Sequence, residues 1–145
     1  MESNCIFCEV VRGTSPCYKI YEDDHNLAFL DTNPRTPYHT LVIPKNHSRD
    51  ILSIEPADLQ SAMAAVRNVL DIYREKFNYV DFQVLNNCGK YGQQAIWHTH
   101  FHIVPRFKDD GSNWHPIRRD DLIARLPEML AALTAGSAQA VDCRK

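Results

Sequence analysis

The sequence predicts an α+β domain with a mainly antiparallel, five-stranded sheet, one long helix and shorter N- and C-terminal helices. Three observations carry this. Five compact runs rich in β-branched and aromatic residues are set apart by Gly, Pro, Asn and Asp. One long segment repeats apolar residues at three-and-four spacing. Short turns join the runs on either side of that segment, the pattern of antiparallel neighbours rather than of repeated βαβ units.

Ile6–Arg12, bounded by Gly13 and Pro16, is the first short helix. Residues 18–22 and 27–30 flank Asp23-Asp24-His25-Asn26, whose Asp and Asn favour a turn, so the two runs form a hairpin. Residues 31–37 are a loop. Residues 39–43 are the third strand, which Pro44 ends at or near a sheet edge because proline has no N–H for a ladder. Pro56 suits the first turn of a helix. Leu59, Ala62, Met63, Val66, Val69, Leu70, Tyr73 and Phe77 then form its apolar stripe, whose default purpose is core packing. Residues 80–85 are the fourth strand, 86–92 a turn-rich loop and 97–104 the fifth strand. Residues 120–133 are helical around an interruption at Pro127. With no repeat or composition shift, residues 1–133 read as a single domain and 134–145 as a flexible tail.

Composition excludes several functions. A chain of 145 residues can bury a core without covalent staples. A net charge of -2 with 23% charged residues gives no polybasic footprint, which argues against dedicated nucleic-acid binding. The N-terminus has no basic-then-apolar leader, and no stretch approaches the ~18 apolar residues of a membrane span. The expectation is a cytoplasmic protein without a membrane partner. Five cysteines, an odd number, fit poorly with a secreted disulfide framework and leave thiol or metal chemistry open.

The chemistry concentrates at Trp97-His98-Thr99-His100-Phe101-His102-Ile103. On a strand, His98, His100 and His102 share one face, and Trp97, Thr99, Phe101 and Ile103 share the other. At a rise of about 3.3 Å per residue, adjacent imidazoles start roughly 6.6 Å apart, a row suited to an extended ligand such as a phosphate chain. A catalytic metal is a competing reading, but it needs a third ligand and usually a carboxylate base, and no Asp or Glu lies between Asp81 and Asp109. An accidental row is the third reading. Phosphate chemistry is favoured by residues 86–94, whose glycines let backbone N–H groups approach an anion and whose amides can donate to oxygens.

The block Asn87-x-Gly89-x-x-Gly92-x-Gln94-x-x-x-His98-x-His100-x-His102-x-x-Pro105-Arg106 resembles the histidine triad (HIT) superfamily of nucleotide hydrolases and transferases. Cys5-Ile6-Phe7-Cys8, Phe29-Leu30-Asp31 and the segment from Pro37 to His47 resemble family segments in the same order. Together they span roughly residues 4–108. The resemblance implies the HIT-like fold, a homodimer whose sheets join, and cleavage at the α-phosphate of a purine nucleotide conjugate. The conjugate would be a dinucleoside polyphosphate or a nucleoside phosphoramidate. His100 would attack phosphorus and form a nucleotidyl-histidine, with His102, His98 and His39 completing the catalytic wall. Phe7, Val10 and Phe29 would line the base slot, Asp31 would bind ribose, and Asn87 and Gln94 would hold phosphate oxygens. Each has a plainer alternative: Phe7, Val10 and Phe29 as core, which is the default for apolar residues on short elements, Asp31 as a turn cap and His39 as a surface residue. One departure is Ala95, where the family often carries a serine after the loop glutamine.

The resemblance also implies structural zinc on Cys5, Cys8, His47 and His98, a closed tetrahedral set with no open catalytic position. No catalytic cofactor is expected. Two alternatives stand beside the enzyme: a nucleotide-sensing or scaffold protein with little turnover, and a metal-dependent hydrolase. Trp114, His115, Arg118 and Arg119 are candidates for choosing the leaving group, against a reading as a solvated basic turn.

Overall fold

The computed structural model describes residues 4–111 and 119–135. The chain divides into two compact units, Met1–Ser112 and Asn113–Lys145. The first contains α1 (Ile6–Arg12), β1 (Lys19–Glu22), β2 (Asn26–Leu30), β3 (Thr40–Pro44), α2 (Pro56–Phe77), β4 (Phe82–Leu85) and β5 (Phe101–Pro105). The second contains α3 (Asp120–Ile123) and α4 (Leu126–Thr134). The helix break falls at Ala124-Arg125, ahead of Pro127, because Pro127 is accommodated in the first turn of α4. Trp114, His115, Arg118 and residues 136–145 lie outside the described residues.

Five strands in the order β1-β2-β3-β5-β4 form one sheet whose neighbours are all antiparallel. Strand parity sorts the side chains between two layers. Ala28, Val42, Phe101 and Ile103 pack beneath Ala62, Ala65, Val66, Val69 and Tyr73 of α2. Leu27, Phe29, Leu41 and Ile43, from the alternate positions, pack against Phe7, Cys8 and Val10 of α1. Every residue of β3 is buried because helices cover both of its faces.

Proline at the first turn opens α2, and Asn78 closes it in the left-handed conformation, φ 55°, with its N–H donating to Arg74 O. Met63 and Phe77 of the expected stripe are 43% and 42% exposed, at its margins. Phe77 instead meets Tyr38 and Tyr79, at ring-centroid distances of 4.9 and 5.3 Å. No helix among the described residues is long and apolar enough to cross a membrane.

Two strand expectations are corrected. Pro44 ends a central strand, not an edge strand. It is tolerated because pairing of β3 with β5 stops at Val42↔Phe101, so no β5 residue needs the missing N–H. For the same reason β5 begins at Phe101 rather than residue 97. The preceding chain turns away, and Thr99 N–H donates to Ser48 O at 2.7 Å. Trp97 is consequently 40% exposed under the Arg49 guanidinium, 4.4 Å from the ring centroid, instead of in the core.

Candidate active site and metal centre

Leu41 is the register partner of His102, so sheet parity places His39, Leu41 and His102 on the α1 face, away from α2. His100 follows on the same face, with its ring centroid 5.0 Å from that of His102 and 5.3 Å from that of Phe7. His39 continues the row at 5.2 Å from His102. The sequence therefore brings three histidines to one surface, though the rings lie closer than a regular strand would set them.

Carbonyl oxygens can only accept, so each histidine's tautomer can be read from its partners. His98 Nε2–H donates to Pro44 O at 2.9 Å, leaving the Nδ1 lone pair free of a proton. His100 Nδ1–H donates to His98 O at 2.6 Å, leaving an Nε2 lone pair. Arg35 N–H donates to His39 Nδ1 at 3.1 Å, so His39 Nε2–H donates to His102 Nδ1 at 2.9 Å. The ring proton of His102 then sits on Nε2, a buried atom with no hydrogen-bond partner among the described residues. Asp31 Oδ2 approaches His39 Nε2 at 3.6 Å and His102 Nδ1 at 4.0 Å.

Burial sets the protonation states. It holds His100 and His39 below the ordinary imidazole range, against the raising influence of the Asp31 carboxylate on both. His102 is pushed down to about 4, by burial first and then by His100 and His39. All three are neutral near pH 7, which keeps the His100 lone pair available without a base to deprotonate it.

Two cavities meet at this row. A slot of about 280 Å³ is walled by Phe7, Val10, Phe29, Leu41 and Ile96, with Asp31 at its border. A second cavity of about 320 Å³ is bordered by His100, His102, His39, Asn87 and Arg35, among others. Phe7 and Asp31 border both. Phe7, Val10 and Phe29 thus serve as core and as slot wall together, since all three are also buried against the sheet.

The loop before the histidines is braced from within. Gln94 accepts from Gly89 N–H at 3.0 Å and donates to Arg49 O and Ile96 O at 2.7 and 3.0 Å. Its amide is thus engaged by backbone groups of the loop and of its neighbours. Gln93, at φ 63°, borders the cavity instead, beside Asn87. Gly92 is required for packing, because a Cβ there would lie 2.1 Å from Cys88 O. The ring of His98 faces Pro44 O and the Cys–His cluster, and its carbonyl holds His100.

Cys5, Cys8, His47 and His98 converge behind Phe7, their four ligand atoms all within 4.8 Å of one another. Cys5 Sγ and Cys8 Sγ lie 3.5 and 3.7 Å from His98 Nδ1. His47 Nδ1 lies 3.3 Å from both Cys8 Sγ and His98 Nδ1. Tetrahedral zinc with bonds of about 2.3 Å to sulfur and 2.05 Å to nitrogen has edges of about 3.6 Å for S–N and 3.3 Å for N–N. The donor set and its spacing therefore fit zinc, and the His98 tautomer directs its lone pair inward.

Arg35 and Gln93 are cavity residues that sequence reasoning missed. The signal for Arg35 was its place in the short loop between Asp31 and His39, two residues already tied to the site. Gln93 gave no signal to separate it from Gln94.

The chain matches the HIT domain family over residues 12–109. It is 37% identical over 110 residues to an adenylylsulfatase of Arabidopsis thaliana, covering 76% of this chain and 56% of that protein. It is 35% identical over 127 residues to an adenosine 5′-monophosphoramidase of Schizosaccharomyces pombe, covering 83% and 92%. A zinc-bound histidine triad family protein from Mycobacterium smegmatis superposes with a TM-score of 0.71 at 33% identity, covering 94% of this chain and 98% of that one.

Proposed function

The chain belongs to the HIT domain family, and on that premise we propose that it is a hydrolase or nucleotidyl transferase cleaving purine nucleotide conjugates at the α-phosphate. The observation that carries this is the His100 tautomer: Nδ1–H is held by His98 O, and the Nε2 lone pair is left for the cavity. Two relatives are named for acting on adenylyl conjugates, one a sulfate and one an amidate.

The purine occupies the apolar slot and the ribose hydroxyls bond to Asp31, which places the α-phosphate against His100. His100 Nε2 donates its lone pair to phosphorus. The bond from phosphorus to the leaving atom breaks, and its electron pair departs with that atom; an oxygen leaves as the oxyanion, and an amine nitrogen takes a proton from solvent. His102 Nε2–H hydrogen-bonds the departing group, and Asn87 and Gln93 hold the non-bridging oxygens. The modified ring gains positive charge, which strengthens its bond to His98 O. Water then attacks phosphorus, the N–P pair returns to Nε2, and the proton lost by water passes to solvent.

Zinc, when bound, supplies structure: Cys5, Cys8, His47 and His98 would hold it, pinning α1 to the segment before β5. Homodimerisation belongs to the same reading, with β4 at an edge of the sheet among the described residues. The test is a substrate panel followed by chromatography. Release of nucleoside monophosphate from adenylyl conjugates by the wild type, lost in H100N with nucleotide affinity retained, is the expected result. Full turnover by H100N rejects the mechanism, and nucleotide binding without turnover by the wild type makes the protein a sensor.

A further inference from the structure

The catalytic row has a direction. From Phe7, which borders both the base slot and the catalytic cavity, centroid spacings of 5.3, 5.0 and 5.2 Å lead to His100, His102 and His39. Arg35 follows, its backbone N–H donating to His39 Nδ1 at 3.1 Å and its side chain bordering the catalytic cavity. A nucleotide with its base beside Phe7 and its phosphorus at His100 has room to extend its other half along the row, towards His39 and Arg35.

Arg35 is the one permanently charged cation among the described residues that border the catalytic cavity. It also borders an adjoining cavity of about 390 Å³ formed by the 30–39 loop, which shares Asp31, Arg35 and His39 with the catalytic one. Asp31 borders all three cavities and belongs to the nucleoside end as much as to the far end. Arg35 borders only the two beyond the slot. Its charge reaches the row: after burial, it adds to the influences holding His39 and His102 neutral.

The tautomers point the same way. His102 Nδ1 is occupied by the His39 proton, so its Nε2–H is the only proton it carries. It can hydrogen-bond a departing oxyanion, but giving that proton away would leave an imidazolate. Ala95, on the same wall, offers no side-chain donor or acceptor.

We infer that Arg35 binds the leaving group, and that the site therefore favours a tetrahedral oxyanion, phosphate or sulfate, over an uncharged amine. This rests on nucleotidyl transfer to His100. In the step itself, the P–O bond to the oxyanion breaks as the N–P bond forms. The leaving oxygen keeps the electron pair, and the Arg35 guanidinium and His102 Nε2–H stabilise its charge.

The test compares wild type, R35Q and R35K on three substrates: adenosine 5′-phosphosulfate, diadenosine tetraphosphate and adenosine 5′-phosphoramidate. R35Q should lower kcat/KM for the two anionic leaving groups about 10- to 100-fold and that for the amidate less than about 3-fold, with R35K recovering most of the loss. Dependence of only one anionic substrate on Arg35 supports the subsite and identifies its oxyanion. An equal loss on all three, or no loss, overturns it while leaving the proposed function standing. A second measurement separates the two failures. Wild type should bind adenosine 5′-(α,β-methylene)diphosphate more tightly than adenosine monophosphate, and R35Q should lose that preference about tenfold. That result with no turnover of any substrate rejects the proposed function and keeps the subsite, whereas equal affinities in wild type reject the subsite.

Discussion

His100 Nδ1 lies 2.6 Å from the backbone carbonyl oxygen of His98, and that one bond ties the proposed nucleophile to the Cys–His cluster. The ring of His98 faces the cluster while its carbonyl holds His100, so the candidate metal centre and the proposed nucleophile are joined through a single residue's backbone.

Zinc should therefore matter to both stability and chemistry. Protein purified without chelator is expected to carry close to one zinc per chain, and less than about a quarter equivalent contradicts the site. The C5S/C8S double variant should lose the metal and melt about 5 °C lower or more, because a ligand that binds only the folded state adds its binding energy to folding. Scanning calorimetry with metal analysis checks this. H100N should bind zinc normally.

Acid should destabilise the fold through His102. Its folded value of about 4 lies below the ordinary imidazole value of 6.5, so the unfolded chain takes up a proton first as pH falls. The contribution is intact above about pH 6.5, is lost progressively as pH falls towards 4, and amounts to on the order of 2–3 kcal/mol. Urea melts at pH 7.5 and 5.0 should show this loss in the wild type and a smaller one in H102Q.

Gly92→Ala should damage the loop without touching any cavity residue. The new Cβ would meet Cys88 O at 2.1 Å, and a backbone carbonyl can yield only by moving the turn. The expected cost is about 1–3 kcal/mol of stability, with turnover reduced at least about tenfold as Asn87 and Gln93 shift. Wild-type kcat/KM in this variant would show that the loop does not position the phosphate.

Much of this was legible because it depends on parity and spacing. The β-branched runs give the five strands, the apolar stripe gives α2, and alternation puts His100 and His102 opposite Phe101 and Ile103. The resemblance added the Cys5, Cys8, His47 and His98 set, which the fold brings within ligand distance. Long-range effects were not legible. Nothing local shows that β3 is central despite Pro44, or that Ser48 pulls Thr99 out of the sheet and exposes Trp97. Gln94 and Gln93 are adjacent and chemically identical, so only the turn geometry decides which one braces the loop and which borders the cavity.

The covalent intermediate tests the central claim most directly. Wild-type protein mixed with an adenylyl conjugate and quenched within milliseconds, under conditions that preserve a phosphorus–nitrogen bond, should gain the mass of one adenylyl group. Peptide mapping should place it on His100. Turnover with no adduct on the millisecond scale, or an adduct on His102 or His39 in place of His100, would contradict the account.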